Sequence, residues 1–224
     1  MTGVRGATGV RVVLADDERM VRTALRVIID AEPGLTVVGE ASTGAEAVTA
    51  VTELRPDVVL MDVRMPELDG IAATERIMES VVPPPRIVVV TTFENDAYVY
   101  DALRAGAAGF LLKRIAVEEL VQAVRLVAGS DSLLFPAAVR SLAAAHGNRE
   151  RTGRSPWVKR LTEREADVLR LMATGLTNTE IAERMAVGPA TVKSHVAAVL
   201  AKTGARHRTE AVITAYESGF VVPG

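Results

Sequence analysis

The chain has no cysteine. Disulfides, thiolate metal sites and cysteine nucleophiles are therefore excluded, and the absence is compatible with a reducing compartment. Histidine is nearly as scarce. His146, His195 and His207 do not cluster along the sequence, so a zinc centre is not expected. Aromatic residues make up 4% of the chain. No uncharged apolar run approaches the roughly 18 residues a membrane-spanning helix needs. The first ten residues are Gly/Thr-rich and lack the apolar centre of a secretion signal. We expect a cytoplasmic protein with no membrane partner. What remains is ordinary globular material: 224 residues, 49% hydrophobic and 24% charged, enough for one or two domains.

Charge is unevenly spread. Residues 1–130 carry 13 Lys/Arg and 19 Asp/Glu, whereas residues 131–224 carry 13 and 9. An acidic front and a basic back point to two modules with different partners. Between them the sequence Gly147 to Pro156 is polar and rich in helix breakers. We expect a first domain over 1–130, a linker over 131–156 and a second domain over 157–224.

The first half holds five short apolar runs: Val10–Ala15, Thr36–Gly39, Val58–Met61, Ile87–Thr91 and Gly109–Leu112. Several are continuous rather than alternating, as in strands covered on both faces. Helical spacing fills the gaps. Val21, Ala24, Leu25, Ile28 and Ile29 follow the i, i+3, i+4, i+7, i+8 rule, as do Leu120, Ala123, Val124 and Val127 in part. Thr43 with Glu46 reads as a capping box. Strand and helix alternate five times, which predicts an α/β fold with a doubly wound parallel sheet.

Sites in such sheets form at the carboxyl ends of the strands, where strand order reverses. The first strand runs into Asp16-Asp17-Glu18 and the third into Asp62. The fourth ends at Thr91-Thr92 and the fifth at Lys113. If these strands are neighbours, carboxylates, a hydroxyl and an ammonium converge. Clustered carboxylates repel unless a cation sits between them. An oxygen-rich, sulfur-free pocket suits Mg²⁺. An Asp beside Mg²⁺ and Lys can attack a phosphoryl group as nucleophile. A Gly-rich nucleotide loop is excluded, because the first strand leads into Asp-Asp-Glu-Arg and not G-x-G-x-x-G.

These segments carry a resemblance. Val13 to Asp17, Leu60 to Gly70, Val90 to Phe93 and Gly106 to Lys113 are similar to the receiver domain of bacterial two-component response regulators, over roughly residues 10–130. The resemblance implies a flavodoxin-like five-stranded sheet of order 2-1-3-4-5. It implies Asp62 as phosphoacceptor from a histidine kinase. Asp17, Asp62 and the main-chain carbonyl of Arg64 would bind Mg²⁺, with Asp16 assisting through water. Thr91 and Lys113 would contact the phosphoryl group, and Phe110 would be the aromatic switch. Arg114 departs from the Pro or Asp that often follows the lysine, and adds positive charge beside the pocket.

Beyond the linker the signals are helical. Thr162 with Glu165 and Thr177 with Glu180 form capping boxes, Gly175 suits a helix end and Pro189 a first turn. Thr209 reads as the cap of a last helix through Tyr216. Four short helices result. The second and third, joined by a tight turn at Ala186-Val187-Gly188, match helix-turn-helix. In the third, Val192, Val196, Val199 and Leu200 share one stripe. Ala190, Thr191, Ser194, Ala197, Ala198 and Ala201 face away, with Lys193 at the edge. Leu161 to Glu165, Gly175 to Ala182 and Ala190 to Val196 resemble the LuxR-type DNA-binding domain. With the receiver, this resembles the NarL/FixJ response regulators.

The resemblance implies that the helix from Pro189 to about Lys202 enters the major groove. Lys193, Ser194 and Ala197 would then approach bases. Ala197 departs from the basic residue of other members. Lys193, His195, Lys202, Arg206 and Arg208 are candidate phosphate contacts. The expected function is a DNA-binding transcription factor controlled by phosphorylation of Asp62, not an enzyme. Its partners are a sensor histidine kinase, double-stranded promoter DNA and, on activation, a second copy of the chain. The alternatives are a phosphorylation-independent factor that uses the first domain only to dimerise, and a phosphohydrolase. The latter lacks a general-acid Asp two residues after Asp62, where Arg64 stands.

Overall fold

Val12, Val13, Leu14 and Ala15 are at most 1% exposed, so the first strand is covered on both faces and can only be an interior strand. A computed structural model of the chain describes residues 9–92, 96–129 and 155–222. It folds as two compact units. Among the described residues no helix is long and apolar enough to cross a membrane.

The first unit contains β1 (Val10–Ala15), α1 (Arg19–Asp30), β2 (Leu35–Ala41), α2 (Gly44–Leu54), β3 (Val58–Met61), α3 (Gly70–Ser80), β4 (Arg86–Thr91) and α5 (Val117–Gly129). With β5 (Gly109–Leu112) the strands make one five-stranded sheet of order β2-β1-β3-β4-β5. The pairings of β1 with β2 and β3, and of β3 with β4, are parallel. Strand order reverses between β1 and β3, in the order that the receiver resemblance implies.

Side chains alternate across each strand. Val13, Ala15, Val59, Met61 and Ile87 point to one face, where they meet Ala47 and Val51 of α2 and Ala73 and Ile77 of α3. Val90 of β4 meets Val21, Ala24, Leu25 and Ile28 of α1 and Leu120 of α5 around a cavity of about 190 Å³. The helical spacing becomes a buried stripe in α5, at Leu120, Ala123, Val124 and Val127, whereas in α1 Ile29 is buried, Val21, Leu25 and Ile28 are half-buried and Ala24 is exposed. Strand β2 is longer at both ends than its apolar run, because Leu35, Glu40 and Ala41 continue the ladder opposite Val10, Leu14 and Ala15.

Helix starts follow local chemistry. Thr43 Oγ1 accepts from Glu46 N at 3.1 Å, but the Glu46 carboxylate turns to Ser42 N and Oγ at 2.7 and 2.8 Å, so this box closes on the residue before the cap. Asp69 caps α3 by accepting from Ala72 N at 2.8 Å.

The second unit contains α4 (Asp96–Ala105), a 3₁₀ turn (Val158–Arg160), α6 (Glu163–Ala173), α7 (Asn178–Met185), α8 (Pro189–Thr203) and α9 (Arg208–Glu217). Both predicted capping boxes are present, at Thr162/Glu165 and Thr177/Glu180. Pro189 opens α8. Ala186 and Gly204 end α7 and α8 in the left-handed region, with φ of 54° and 78°. The cap of α9 is His207, not Thr209. His207 Nδ1 accepts from Glu210 N at 3.3 Å, while Thr209 is buried in the first turn. Trp157 is buried beside Phe220, ring centroids 5.6 Å apart, and Arg170 lies 5.0 Å over the Phe220 ring. The Tyr216 hydroxyl donates to the carbonyl of Ala173 at 3.1 Å, tying α9 to α6. Helix α4 meets α9, where the Tyr100 hydroxyl donates to Glu217 and Arg104 lies 4.0 Å from the same carboxylate. The expected linker, 131–156, lies outside the described residues except Ser155 and Pro156.

Candidate functional site

The carboxyl ends of β1 and β3 are adjacent rungs of the ladder, Ala15 opposite Met61. The next residues, Asp16 and Asp62, therefore leave the sheet side by side. Asp62 N donates to Ala15 O at 2.7 Å and Asp16 N to Ala41 O at 3.1 Å, which continues the strand pattern one residue past each strand. Asp16, Asp17 and Asp62 each offer a carboxylate oxygen within 4.8 Å of the others. Asp16 and Asp62 are buried, 2% and 6% exposed, while Asp17 opens to solvent. The cluster is buried at its base and accessible at its rim.

Lys113 follows β5. Its main-chain N–H donates to Thr91 O at 2.8 Å, joining the ends of β4 and β5. Its ammonium lies 2.7 Å from Asp16, 3.4 Å from Asp62 and 3.5 Å from Glu18. One ammonium among these carboxylates leaves the pocket negative. Burial pushes the Asp62 carboxyl up to about 6; the Lys113 charge opposes the rise and the Asp16 charge adds to it. Burial would lower the Lys113 value, but its hydrogen bond to Asp16 and the Asp62 charge outweigh that and hold it above its usual range. An acid and a base, Asp62 and Lys113, each shifted by burial and by neighbouring charge, mark a site under electrostatic tension.

A hard divalent cation fits this donor set. All the ligating atoms are oxygens, the carboxylates already converge, and the excess negative charge calls for a counter-ion. The expected members Asp16, Asp17, Asp62 and Lys113 are thus brought together. Thr91 is buried at the end of β4, Phe110 is half-buried on β5, and the Arg64 side chain is exposed while its neighbours Val63 and Met65 are buried. The Lys113–Arg114 peptide bond is trans.

Two features escaped the motif reading. A Cβ on Gly70 would stand 1.8 Å from the Asp62 carbonyl oxygen, so the first turn of α3 can approach the Asp62 main chain only because position 70 has no side chain. Arg22 of α1 donates through Nη1 to the carbonyls of Asp16, at 2.6 Å, and Asp17, at 3.2 Å. The available signal was an arginine one turn into the helix that follows the Asp pair.

In the second unit, α7 and α8 form the expected helical pair. Val192 and Val199 are buried, with Val196 and Leu200 half-buried. Thr191, Lys193, Ser194, Ala197 and Ala201 are exposed on the opposite side. Ser194 Oγ donates to Ala190 O at 3.1 Å, within its own helix. His195 is half-buried at the edge of the stripe and Arg206 is exposed, its main-chain N–H donating to Glu210 at 2.8 Å.

Two expected phosphate contacts are placed elsewhere. Lys202 Nζ contacts both oxygens of the buried Glu165, at 2.7 and 2.6 Å, and so joins α8 to α6. Arg208 is 8% exposed. Its guanidinium donates to Asn178 Oδ1 at 3.0 Å and to the Leu176 carbonyl, joining α9 to the start of α7. Both cations hold helices together. The physical reason is that Glu165 is already buried by the packing and its unmet charge would be costly, while Arg208 is itself buried and takes the half-buried Asn178 and Leu176 oxygens as acceptors.

A sheet edge that can receive a phosphoryl group, carried in one chain with a helix exposed for a DNA groove, defines a class: a phosphorylation-responsive DNA-binding protein. The comparisons specify it. Residues 12–125 match the model of the response regulator receiver domain, and residues 159–215 match that of the bacterial regulatory proteins of the luxR family. The chain is 38% identical over 213 residues to the transcriptional regulatory protein LiaR of Bacillus subtilis, covering 95% of this chain and 99% of that protein. It is 40% identical over 209 residues to the DNA-binding transcriptional activator DevR/DosR of Mycobacterium tuberculosis, covering 93% and 94%. A crystal structure of a LuxR-family two-component response regulator from Aurantimonas sp. matches with a TM-score of 0.56 at 33% identity, over 61% of this chain and 97% of that one. The chain belongs to the two-component response regulators of NarL/FixJ type, DNA-binding transcriptional regulators and not enzymes. Its receiver implies a kinase partner and its helix-turn-helix implies DNA.

Proposed function

We propose that Asp62 accepts a phosphoryl group from the phosphohistidine of a sensor kinase, and that the modified chain binds promoter DNA as a homodimer in the cytoplasm. Mg²⁺ would be held by Asp17, Asp62 and the main-chain carbonyl of Arg64, with Asp16 assisting through water. When bound, it neutralises charge on the phosphoryl oxygens. The observation that carries the reading is the convergence of Asp16, Asp17 and Asp62 within 4.8 Å around an ammonium that touches two of them.

In the transfer, an Asp62 carboxylate oxygen bonds to phosphorus as the P–N bond of the donor breaks. The electron pair returns to the imidazole nitrogen, which takes a proton from solvent. Lys113 is placed to leave Asp62 for a phosphoryl oxygen. The Thr91 hydroxyl follows the new acceptor oxygens, and Phe110 turns inward behind it. Such a local charge change biases a two-state equilibrium. In the second domain Thr191, Lys193, Ser194 and Ala197 face the bases, and Lys193, His195 and Arg206 the phosphates. With so few hydrogen-bond donors on the reading face, one copy binds weakly and two-fold pairing supplies the affinity. The domains are assigned as receiver 1–130, linker 131–156 and DNA-binding domain 157–224; the two family matches at 12–125 and 159–215 support this division, and α4, which clusters with the second unit, lies within the first match.

The test is intact-mass analysis after incubation with acetyl phosphate and Mg²⁺, followed by a DNA footprint with and without the donor. A base-labile phosphoryl adduct on Asp62 and a two-fold symmetric footprint strengthened by the donor are expected. No adduct, even with a cognate kinase, would overturn the proposal.

A further inference from the structure

Arg22 occupies an unusual place for a surface-helix arginine. Its side chain is 14% exposed. One nitrogen, Nη1, donates to two consecutive main-chain carbonyls, Asp16 at 2.6 Å and Asp17 at 3.2 Å. Its Nε donates to Glu40 Oε2 at 3.2 Å. Glu40 is the residue before Ala41, whose carbonyl receives Asp16 N at 3.1 Å. The loop that carries two of the three clustered carboxylates is therefore fixed to the end of β2 twice, once by main chain and once through this guanidinium.

Carboxylates drawn within 4.8 Å of one another push apart, and Asp17, being exposed, is the one free to move. A second restraint inside the loop is the donation of Glu18 N to Asp16 Oδ1 at 2.9 Å. It orients Asp16 but does nothing for Asp17. Arg22 reaches the Asp17 carbonyl. A planar guanidinium with several donors in fixed directions can hold two carbonyls and a carboxylate at once, which an ammonium cannot.

Arg26, one turn further along α1, offers an internal comparison. Its Nε meets the other Glu40 oxygen at 2.6 Å, and its Nη1 lies 3.6 Å from Asp30. The hydrogen bond from Arg26 is the largest influence holding the Glu40 carboxyl below its usual range; burial opposes it and Arg22 adds to it. Both arginines share Glu40, and the hydrogen bonds to the Asp16 and Asp17 carbonyls come from Arg22.

We propose that Arg22 is a positioning residue for the acidic pocket: by tying the Asp16 and Asp17 carbonyls to Glu40, it holds the three carboxylates in the arrangement that shares one divalent cation. The inference rests on the reading of that pocket as a Mg²⁺ site. Mg²⁺ demands near-ideal placement of its oxygens, so loosening the loop should weaken binding of the ion.

The experiment is calorimetric titration of Mg²⁺ into the full, unphosphorylated chain, with the melting curve recorded for each variant. Arg22→Ala should raise the Mg²⁺ Kd about tenfold, the lower end of what outer partners of metal ligands contribute. Arg26→Ala should stay within about twofold of wild type, as expected of a surface ion pair. Arg22→Lys keeps the charge without the fork and should fall between; it also serves if Arg22→Ala does not fold. An Arg22→Ala or Arg22→Lys protein that melts earlier but titrates like wild type would show a merely structural role and overturn the proposal. So would an equal loss in Arg26→Ala. If wild type itself takes up no Mg²⁺, the metal reading fails and this inference with it.

Discussion

Lys113 in the first unit and Lys202 in the second are both lysines resting on buried carboxylates, yet they have opposite uses. Lys113 lies within 3.5 Å of Asp16, Asp62 and Glu18, with Asp17 in the same cluster. Lys202 meets the two oxygens of Glu165 alone. In the first place the cation is outnumbered and the pocket stays negative, while burial, with the Asp16 charge adding to it, pushes Asp62 up to about 6. In the second the charges match one to one, and the Glu165 carboxyl is held below its usual range by the Lys202 hydrogen bond. Buried carboxylates are common to both places; the balance of charge is what differs between them.

The comparison can be broken most severely at Asp62. Asp62→Asn should reduce the base-labile phosphoryl adduct to background by intact mass, whereas Lys202→Ala should leave it at the wild-type level. Lys202→Ala should instead destabilise the second unit by about 1–3 kcal/mol, because Glu165 is left buried without its partner. Trp157, buried in that unit beside Phe220, reports the loss by fluorescence in a denaturant titration. Gly70→Ala is the counterpart in the first unit. Its new Cβ meets the Asp62 carbonyl, and such overpacking costs about 1–3 kcal/mol, visible by calorimetry with the Trp157 transition unmoved.

The two carboxyls also predict opposite pH responses. Asp62 binds its proton more tightly folded than unfolded, so its contribution is present below the unfolded value of about 3.9 and is lost as pH rises through about 6. In metal-free buffer Asp62→Asn should therefore be more stable than wild type at pH 7, by on the order of 2 kcal/mol, and the gap should close towards pH 4. Glu165 and Glu180 are held below the usual range, the first by Lys202 and the second by the Thr177 main chain. Their contribution is present above the ordinary glutamate range and is lost as pH falls through their folded values. Thermal melts of the two units from pH 7 to pH 3 check both signs.

The smallest effect is the most selective. Lys193→Ala should lower the slope of log affinity for DNA against log salt by about one. Lys202→Ala should leave that slope unchanged, since its ammonium is held by Glu165.

What was legible in the sequence followed from short-range chemistry. Thr162, Thr177 and Pro189 mark their helices because a cap needs only a residue three positions away. Strand β3 is met end to end because all four of its residues, Val58 to Met61, are buried. The aspartates were legible because a parallel sheet brings its carboxyl ends to one edge. The intradomain partners of Lys202 and Arg208 were not legible because their acceptors lie 37 and 30 residues away, a distance that no spacing rule spans. His207 was missed as a cap because imidazole does that work only when its neutral Nδ1 is turned to the helix. Gly70 stood inside the motif, but its reason, the Asp62 carbonyl against its Cα, needed three dimensions.

The central claim is that a phosphoryl group on Asp62 controls the DNA-binding face. The direct measurement is the affinity for a footprinted promoter fragment at fixed salt, for wild type and Asp62→Asn, each with and without acetyl phosphate and Mg²⁺. The account predicts tighter binding with the donor for wild type and no donor effect for Asp62→Asn. Equal affinity in all four titrations, with the adduct on wild type verified by mass, would contradict it.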